Sequence, residues 1–417
     1  MAFIEINGGK QLSGEVNIQG SKNTVLPILA ATVLINGIVK LNNCPRILDV
    51  YHMIKILEAI GCSVTWDKSS LIIDTTRLST SVVPEEYVKM MRSSIILMGP
   101  LLGRTHSVTI TYPGGCTIGA RPIDFHLSAF KAMNILLEEA DGLIQCTTDG
   151  IKGSEITLKF PSVGATENII LAAVLASGKT TIINAAKEPE ITELCKFLNA
   201  AGANITGVGS EKIDIVGVDY LHPVEYTACS DRIVAGTYLA AVAGAGGEAV
   251  LTGIGAGNLQ AVIQVLKEMG CSIISGEDYI IIASSGRLKP VPLIRTMPYP
   301  GFPTDMQSQI MSVLTTAKGT SRIVEEIFEG RYGNVKEQVK FGANIQIHDR
   351  EAIIYGVDSL KGAEVFASEL RGGAALVIAG LMAKGKTILY NPYFIQRGYE
   401  DICRDLRQLG ADIKMVN

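Results

Sequence analysis

Apolar and polar positions along this 417-residue chain fall into one pattern that recurs six times. Each copy opens with a helix-length run, rich in small residues and apolar nearly all round. A glycine and a β-branched strand follow. A second helical stretch, apolar on one face only, ends in apolar-Gly-(Ala or Cys) and leads directly into another strand. The copies occupy residues 26–39, 95–110, 169–183, 234–251, 310–323 and 376–389. Their closing signatures are Ile60-Gly61-Cys62, a degenerate Ala140-Asp141-Gly142, Ala201-Gly202-Ala203, Met269-Gly270-Cys271, Phe341-Gly342-Ala343 and Leu409-Gly410-Ala411. A spacing of roughly 70 residues exceeds that of a solenoid, so each copy is a small α/β subdomain. Helices that are apolar all round are buried ones. The second helices, charged on one face as in residues 401–409, belong nearer solvent, and the glycine closing each suits a helix C′ position.

Six copies divide naturally into two sets of three, each with buried first helices and sheets outside them. The expected domains are residues 22–229 and residues 1–21 plus 230–417, with the chain crossing between them near residues 20 and 230. The strand at residues 3–6 precedes copy one and is expected to pair with copy six. A cleft between two such domains is a favoured place for a ligand. Hydrophobic residues make up 47% of the chain and charged residues 19%, which predicts an extensive core rather than disorder. A net charge of −4 offers no basic surface for nucleic acid. Residues 1–6 lack a basic segment followed by a long apolar run, so no signal peptide is expected. The uncharged run after Asn23 contains Pro27 and Gly37 and reads as core, not as a membrane span. The expected location is therefore cytoplasmic.

Candidate chemistry concentrates in the loops. Eight cysteines are scattered without a C-x-x-C pair, and with only five histidines no zinc-type spacing exists; neither metal nor cofactor is expected. Most of the cysteines sit in apolar runs and read as small core residues. Cys116 is the exception. It lies in Pro113-Gly114-Gly115-Cys116-Thr117-Ile118-Gly119-Ala120-Arg121, where glycines let main-chain N–H groups approach an anion. A tight surface turn with an incidental thiol is the competing reading of the same glycines. The loops opening the six buried helices carry Lys22, Arg92, Ser162, Asp231 with Arg232, Asp305, and Glu369 with Arg371. A lysine at a helix N-terminus opposes the helix dipole, so Lys22 is either a solvated loop cation or the partner of an anion. Residues 162–168 read as a phosphate-cradling helix start or as an ordinary N-cap. With Arg331 and Arg397, these positions gather cations in an otherwise acidic chain, which points to a small, multiply anionic substrate.

The motifs go further. Gly20-Ser21-Lys22-Asn23, the Gly-Gly-Cys loop, Ser162-Val163-Gly164-Ala165-Thr166-Glu167-Asn168, Glu188-Pro189-Glu190-Ile191, Asp231-Arg232, Pro300-Gly301-Phe302-Pro303-Thr304-Asp305 and Gln396-Arg397-Gly398-Tyr399-Glu400 stand in order along the whole chain. Together they resemble the UDP-N-acetylglucosamine 1-carboxyvinyltransferase family, the enolpyruvyl transferases of peptidoglycan synthesis. The resemblance implies a two-domain inside-out α/β barrel fold, three repeats per domain, with the active site in the interdomain cleft. It implies that Lys22, Asn23, Arg121 and Arg397 hold phosphoenolpyruvate, with Arg331 and Arg371 close by. Arg92, Arg121, Pro122, Ile123, Asp124, Phe125, Ser162, Val163, Gly164, Asp305 and Ile327 would contact the UDP-sugar. Cys116 would donate a proton and is the expected target of the epoxide fosfomycin; Asp305 would take the proton of the sugar 3′-hydroxyl.

Three positions depart from the family pattern. Tyr332-Gly333-Asn334 stands where Phe-Met-His is common, Glu369 where Asp is usual, and Phe160 where a lysine is often found. Two rivals follow: the related transferase acting on shikimate 3-phosphate, which resembles the chain in fold but not in the thiol-bearing loop, and a non-catalytic paralogue that binds a UDP-sugar and regulates.

Overall fold

The computed structural model describes residues 2–114, 118–119 and 122–416. Cys116 and Arg121, two of the expected site residues, lie outside the described residues.

The chain forms two compact units. One runs over Gly20–Gly115 and Arg121–Cys229; the other comprises Met1–Gln19, Cys116–Ala120 and Ser230–Asn417. In the first, the inner helices are α1 (Lys22–Thr32), α2 (Met98–Thr105) and α3 (Val163–Ala173). In the second they are α4 (Arg232–Ala245), α5 (Gln307–Leu314) and α6 (Leu370–Met382). Burial of these helices is nearly complete: α6 buries every residue from Leu370 to Leu381. Small residues allow the close packing. A Cβ on Gly99 of α2 would lie 2.6 Å from the Asn168 carbonyl oxygen of α3, so glycine is required there.

Each inner helix is followed by a strand of its own sheet, giving five four-stranded sheets and one three-stranded sheet among the described residues. The four-stranded sheets repeat one plan, in which the strand after the inner helix lies between a parallel edge strand and an antiparallel partner. Glu225–Thr227, Ile38–Asn42 and Ser70–Asp74 show it in copy one. The three-stranded sheet of copy two keeps a trace of the missing edge strand as a single parallel bridge, Val82 to Thr109. Burial alternates along the strands, as in Lys386–Tyr390, so one face rests on the inner helices and the other meets solvent. The first strand, Phe3–Asn7, lies between Lys386–Tyr390 and Asp412–Val416, antiparallel to both; the N-terminal strand pairs with copy six as the pattern predicts.

Five of the six closing glycines, Gly61, Gly202, Gly270, Gly342 and Gly410, have φ between +83° and +109°, the left-handed geometry that ends a helix. The sixth expectation is corrected. The second helix of copy two, Asp124–Ala132, ends eight residues earlier than its degenerate signature implies. Asp141 and Gly142, at φ 52° and 77°, instead join the strands Leu136–Ala140 and Leu143–Thr147. Two consecutive positive φ values make an Asp-Gly hairpin turn whose twist suits antiparallel strands. Two further differences concern the inner helices. Copy two begins with a 3-10 segment, Arg92–Leu97, before α2. And α5 is polar: Gln307, Ser308, Gln309 and Ser312 are all buried on it. Most of its polar atoms find partners inside the unit, as Ser312 Oγ does in donating to the Ala375 carbonyl of α6 at 2.8 Å, which is how a buried polar group is tolerated; Gln309 Oε1 finds none among the described residues.

Among the described residues no helix is long and apolar enough to cross a membrane.

Candidate active site

In the unit built on α1 to α3, Ser21 caps α1, accepting from Thr24 N at 3.3 Å. Lys22 is the first helical residue. Its ammonium lies 2.7 Å from Asp49 Oδ2, and the Asp49 side chain is almost wholly buried. The carboxylate answers the unfavourable dipole at that helix end. Sequence reasoning gave Lys22 no protein partner and missed Asp49. The signal was there, a lone carboxylate in the otherwise apolar start of Leu48–Ala59. Asn23, beside Lys22, is half-buried.

The expected sugar-contacting segments are gathered around Asn168 of α3. Its side-chain oxygen accepts from Gly99 N at 2.9 Å, and its nitrogen donates to Ile95 O at 2.9 Å. The 3-10 segment that begins at Arg92 is thereby tied to α3. The same amide nitrogen lies 2.8 Å from His126 Nδ1, two residues into the helix begun by Asp124 and Phe125. Ser162 caps α3 through Ala165 N at 3.4 Å. A Cβ on Gly164 would stand 3.3 Å from His126 Cε1. Arg92, Asp124, Phe125, Ser162, Val163 and Gly164 are therefore held in one neighbourhood by His126 and Asn168. Pro122 and Asp124 are exposed, whereas Ile123 is buried.

The other unit carries a tight charged cluster. Asp305 stands in the 3-10 turn Thr304–Met306 that leads into α5. Arg371, the second residue of α6, meets Asp305 Oδ2 from Nη2 at 2.7 Å and from Nε at 3.1 Å. Arg331 meets the other carboxylate oxygen through Nη2. Both arginine side chains are nearly inaccessible, at 2% and 4%, while that of Asp305 is 27% exposed. Burial works to lower the Arg371 pKa, but the charges of Asp305, Tyr399 and Asp231 outweigh it and leave the group above the ordinary guanidinium range. A charge so placed stays charged at any working pH. Glu369 caps α6, accepting from Arg371 N at 2.8 Å and from Gly372 N, and sits 3.8 Å from Arg331 Nη1. The longer acid in place of the usual Asp thus serves as both cap and counter-ion.

Glu325 is the hidden support of this cluster, and sequence reasoning did not find it. Fully buried, it accepts from Thr304 Oγ1 at 3.0 Å, Thr296 Oγ1 at 2.9 Å, Ile327 N at 2.9 Å and Phe328 N at 3.0 Å. One carboxylate therefore joins the loop of Asp305 to the turn of Ile327. In the departing segment, the Tyr332 hydroxyl donates to Ile323 O at 2.8 Å, which braces the turn carrying Arg331. Asn334 is buried, and its amide finds no hydrogen-bond partner among the described residues. Ile118 and Gly119, the described part of the thiol loop, group with this unit, and Gly330 N donates to Ile118 O at 2.8 Å. Arg397 closes the short helix Tyr393–Gln396 and is half-buried.

An aspartate pinned between two buried arginines, on an α/β unit turned inside out, is a charged centre of the kind a group-transfer enzyme for anionic substrates needs. Residues 6–406 match the family described as EPSP synthase (3-phosphoshikimate 1-carboxyvinyltransferase), and the chain belongs to that family of carboxyvinyl transferases. Within it, the chain is 50% identical over its full length, and the full length of the relative, to UDP-N-acetylglucosamine 1-carboxyvinyltransferase 2 of Caldanaerobacter subterraneus. It is 46% identical, again with both chains fully covered, to the enzyme of the same name from Carboxydothermus hydrogenoformans. Among solved structures it is similar to the enolpyruvyl transferase NikO of Streptomyces tendae, with a TM-score of 0.89 at 25% identity, covering 100% of this chain and 99% of that one.

Proposed function

We propose that this protein transfers the enolpyruvyl group of phosphoenolpyruvate to the 3′-hydroxyl of UDP-N-acetylglucosamine and releases phosphate, the first committed step of peptidoglycan synthesis. Full-length similarity to enzymes named for that reaction supports the reading. The observation that carries it is Asp305, a partly open carboxylate whose two oxygens are each held by a buried arginine.

The reaction needs an acid and a base on opposite faces of the enol. Asp305 takes the proton of the 3′-hydroxyl as that oxygen attacks C2 of phosphoenolpyruvate. Each carboxylate oxygen has two lone pairs, so a hydroxyl can approach the open side without displacing an arginine. Cys116 delivers its thiol proton to C3, and a tetrahedral phosphoketal results. C3 then gives up a proton to the Cys116 thiolate left by the first step, the C2–O bond to phosphate breaks with its electron pair on the leaving oxygen, and the vinyl group is restored. A thiol with a reference pKa of ~8.5 is mostly protonated at neutral pH and fits the role of acid. Lys22, Asn23, Arg121 and Arg397 grip phosphoenolpyruvate, with Arg331 and Arg371 near, and offset the charge of the departing phosphate. The segments around Arg92, residues 122–125, residues 162–164 and Ile327 take the nucleotide sugar. Both substrates are multiply charged and do not cross membranes unaided, which supports a cytoplasmic setting.

The test is a phosphate-release assay with phosphoenolpyruvate and either UDP-N-acetylglucosamine or shikimate 3-phosphate. Turnover with the UDP-sugar is expected, and its severe loss in Cys116→Ser with UDP-sugar binding retained. Turnover with shikimate 3-phosphate alone, or UDP-sugar binding without any turnover, overturns the proposal. Near-normal activity in Cys116→Ser removes the thiol from the role of acid.

A further inference from the structure

The proposed grip of Arg397 on phosphoenolpyruvate requires a fixed guanidinium, yet Arg397 sits on a turn between a four-residue helix and a loop. The question is what fixes that turn. Its backbone is held on one side by the helix, with Gly398 N and Tyr399 N donating to Ile395 O at 3.0 and 3.1 Å. On the other side stands a residue 379 positions away in sequence. Gln19 donates from Nε2 to Gly398 O at 3.1 Å and accepts at Oε1 from Glu400 N at 2.9 Å. Gln19 is 8% exposed.

The amide is itself rigidly mounted. Gln19 follows the strand Leu12–Asn17, and the neighbouring backbone is tied by Ile18 N to Thr252 O at 2.9 Å and by Asp231 N to Gln19 O at 2.8 Å. Asp231 in turn caps α4, accepting from Ile233 N and Val234 N at 2.8 and 3.1 Å. Between the two clamped positions Tyr399 is buried, its hydroxyl 2.8 Å from Thr237 Oγ1 of α4. The chemistry of the clamp admits one side chain. A carbonyl only accepts and a backbone N–H only donates, so a group with one donor and one acceptor at the reach of Gln19 is required. Glutamate would set an oxygen against the Gly398 carbonyl, and methionine would satisfy neither partner.

We infer that Gln19 is a positioning residue for phosphoenolpyruvate binding, clamping the turn of residues 398–400 so that Arg397 is presented in one orientation. This rests on the proposed role of Arg397. Removing two buried hydrogen bonds loosens the turn without touching the segments assigned to the UDP-sugar. Phosphate-release kinetics on the full-length enzyme separate the possibilities, with Gln19→Met, Gln19→Glu and Arg397→Ala assayed in parallel, and UDP-N-acetylglucosamine binding measured by calorimetry. In both Gln19 variants kcat/KM for phosphoenolpyruvate is expected to fall about tenfold, the scale set by one or two buried hydrogen bonds, while the UDP-sugar dissociation constant stays within about twofold. Arg397→Ala is expected to fall further. Should one Gln19 variant not fold, the other decides. Gln19 variants within twofold of the parent, beside a crippled Arg397→Ala, overturn the clamp and leave the role of Arg397 standing. An Arg397→Ala enzyme with unchanged phosphoenolpyruvate kinetics removes the role of Arg397, and the clamp with it. Equal losses for both substrates in the Gln19 variants reduce the residue to general scaffolding and also overturn the inference.

Discussion

Removing the Glu369 carboxylate tests how the charged cluster is supported. Glu369 is buried, accepts from two N–H groups at the start of α6 and faces Arg331. Truncation to alanine strips a helix of its N-cap, worth about 0.5–2 kcal/mol. Because the acceptor is charged and the site dry, the upper part of that range applies, with a further contribution from the lost counter-ion; about 2–3 kcal/mol in all is a reasonable expectation. For a unit of about 200 residues each kcal/mol moves the melting temperature by about 2–4 °C, so Glu369→Ala should melt about 5–10 °C below the parent. Glu369→Asp keeps a capping carboxylate one methylene shorter, and should lose about 1 kcal/mol or less. Turnover should respond too. Without Glu369, Arg331 has Asp305 as its remaining carboxylate among the described residues, and a more tightly held Asp305 accepts a proton less readily. Calorimetric melting of parent, Glu369→Asp and Glu369→Ala, with initial rates on the same preparations, checks both expectations. An alanine variant that melts within a degree or two of the parent and turns over normally would refute the reasoning, because it would mean that neither the cap nor the counter-ion matters.

Two further outcomes follow from buried titratable groups. Burial pushes the thiols of Cys62 and Cys271 up to about 11 and those of Cys146, Cys195 and Cys403 up to about 12. At pH 7.5 each is thiolate in roughly one molecule per thousand or fewer, so iodoacetamide followed by peptide mass spectrometry should label Cys116 and spare these five; rapid labelling of any of the five contradicts it. Burial also holds the Asp405 carboxyl above its ordinary range, partly offset by hydrogen bonds from Tyr238 and Arg404. The native state therefore binds that proton more tightly than the unfolded chain does. Stability from this group is lost as pH rises from the ordinary Asp range through the raised value, and recovered below it. Asp405→Asn cannot ionise, so its melting temperature relative to the parent should be more favourable at pH 7 than at pH 4; a difference constant across that range would count against the argument.

Much of the fold was legible because its repeat is enforced by geometry. A helix that must be buried on every side needs small apolar residues, and a helix that turns at once into a strand needs Gly61 or its equivalents at positive φ. The reading failed at Asp141-Gly142 because an Asp-Gly pair satisfies a hairpin as well as a helix end, and a local pattern cannot choose between them. It failed at α5 because the partners that make Gln309 and Ser312 acceptable in the interior come from distant segments. Gln309, for instance, donates to Thr237 Oγ1 of α4, and Ser312 to Ala375 O of α6. The site shows the same division. Motifs on single loops, such as Lys22, Asp305 and Arg371, can be read from sequence. The pairings Lys22 with Asp49, and Glu325 with Thr304 and Thr296, depend on tertiary structure that no spacing encodes.

The strand Phe3–Asn7 lies between two strands contributed by the last 32 residues of the chain. On the ribosome it emerges long before those two strands, and it has no partners in its sheet until they have been made. The unit spanning residues 20–229 can condense while translation continues. Its companion must keep an apolar ribbon, with Ile4 and Ile6 in it, idle while residues 8–385 are made. Closure of that sheet is then a long-range event that waits for the strands of copy six.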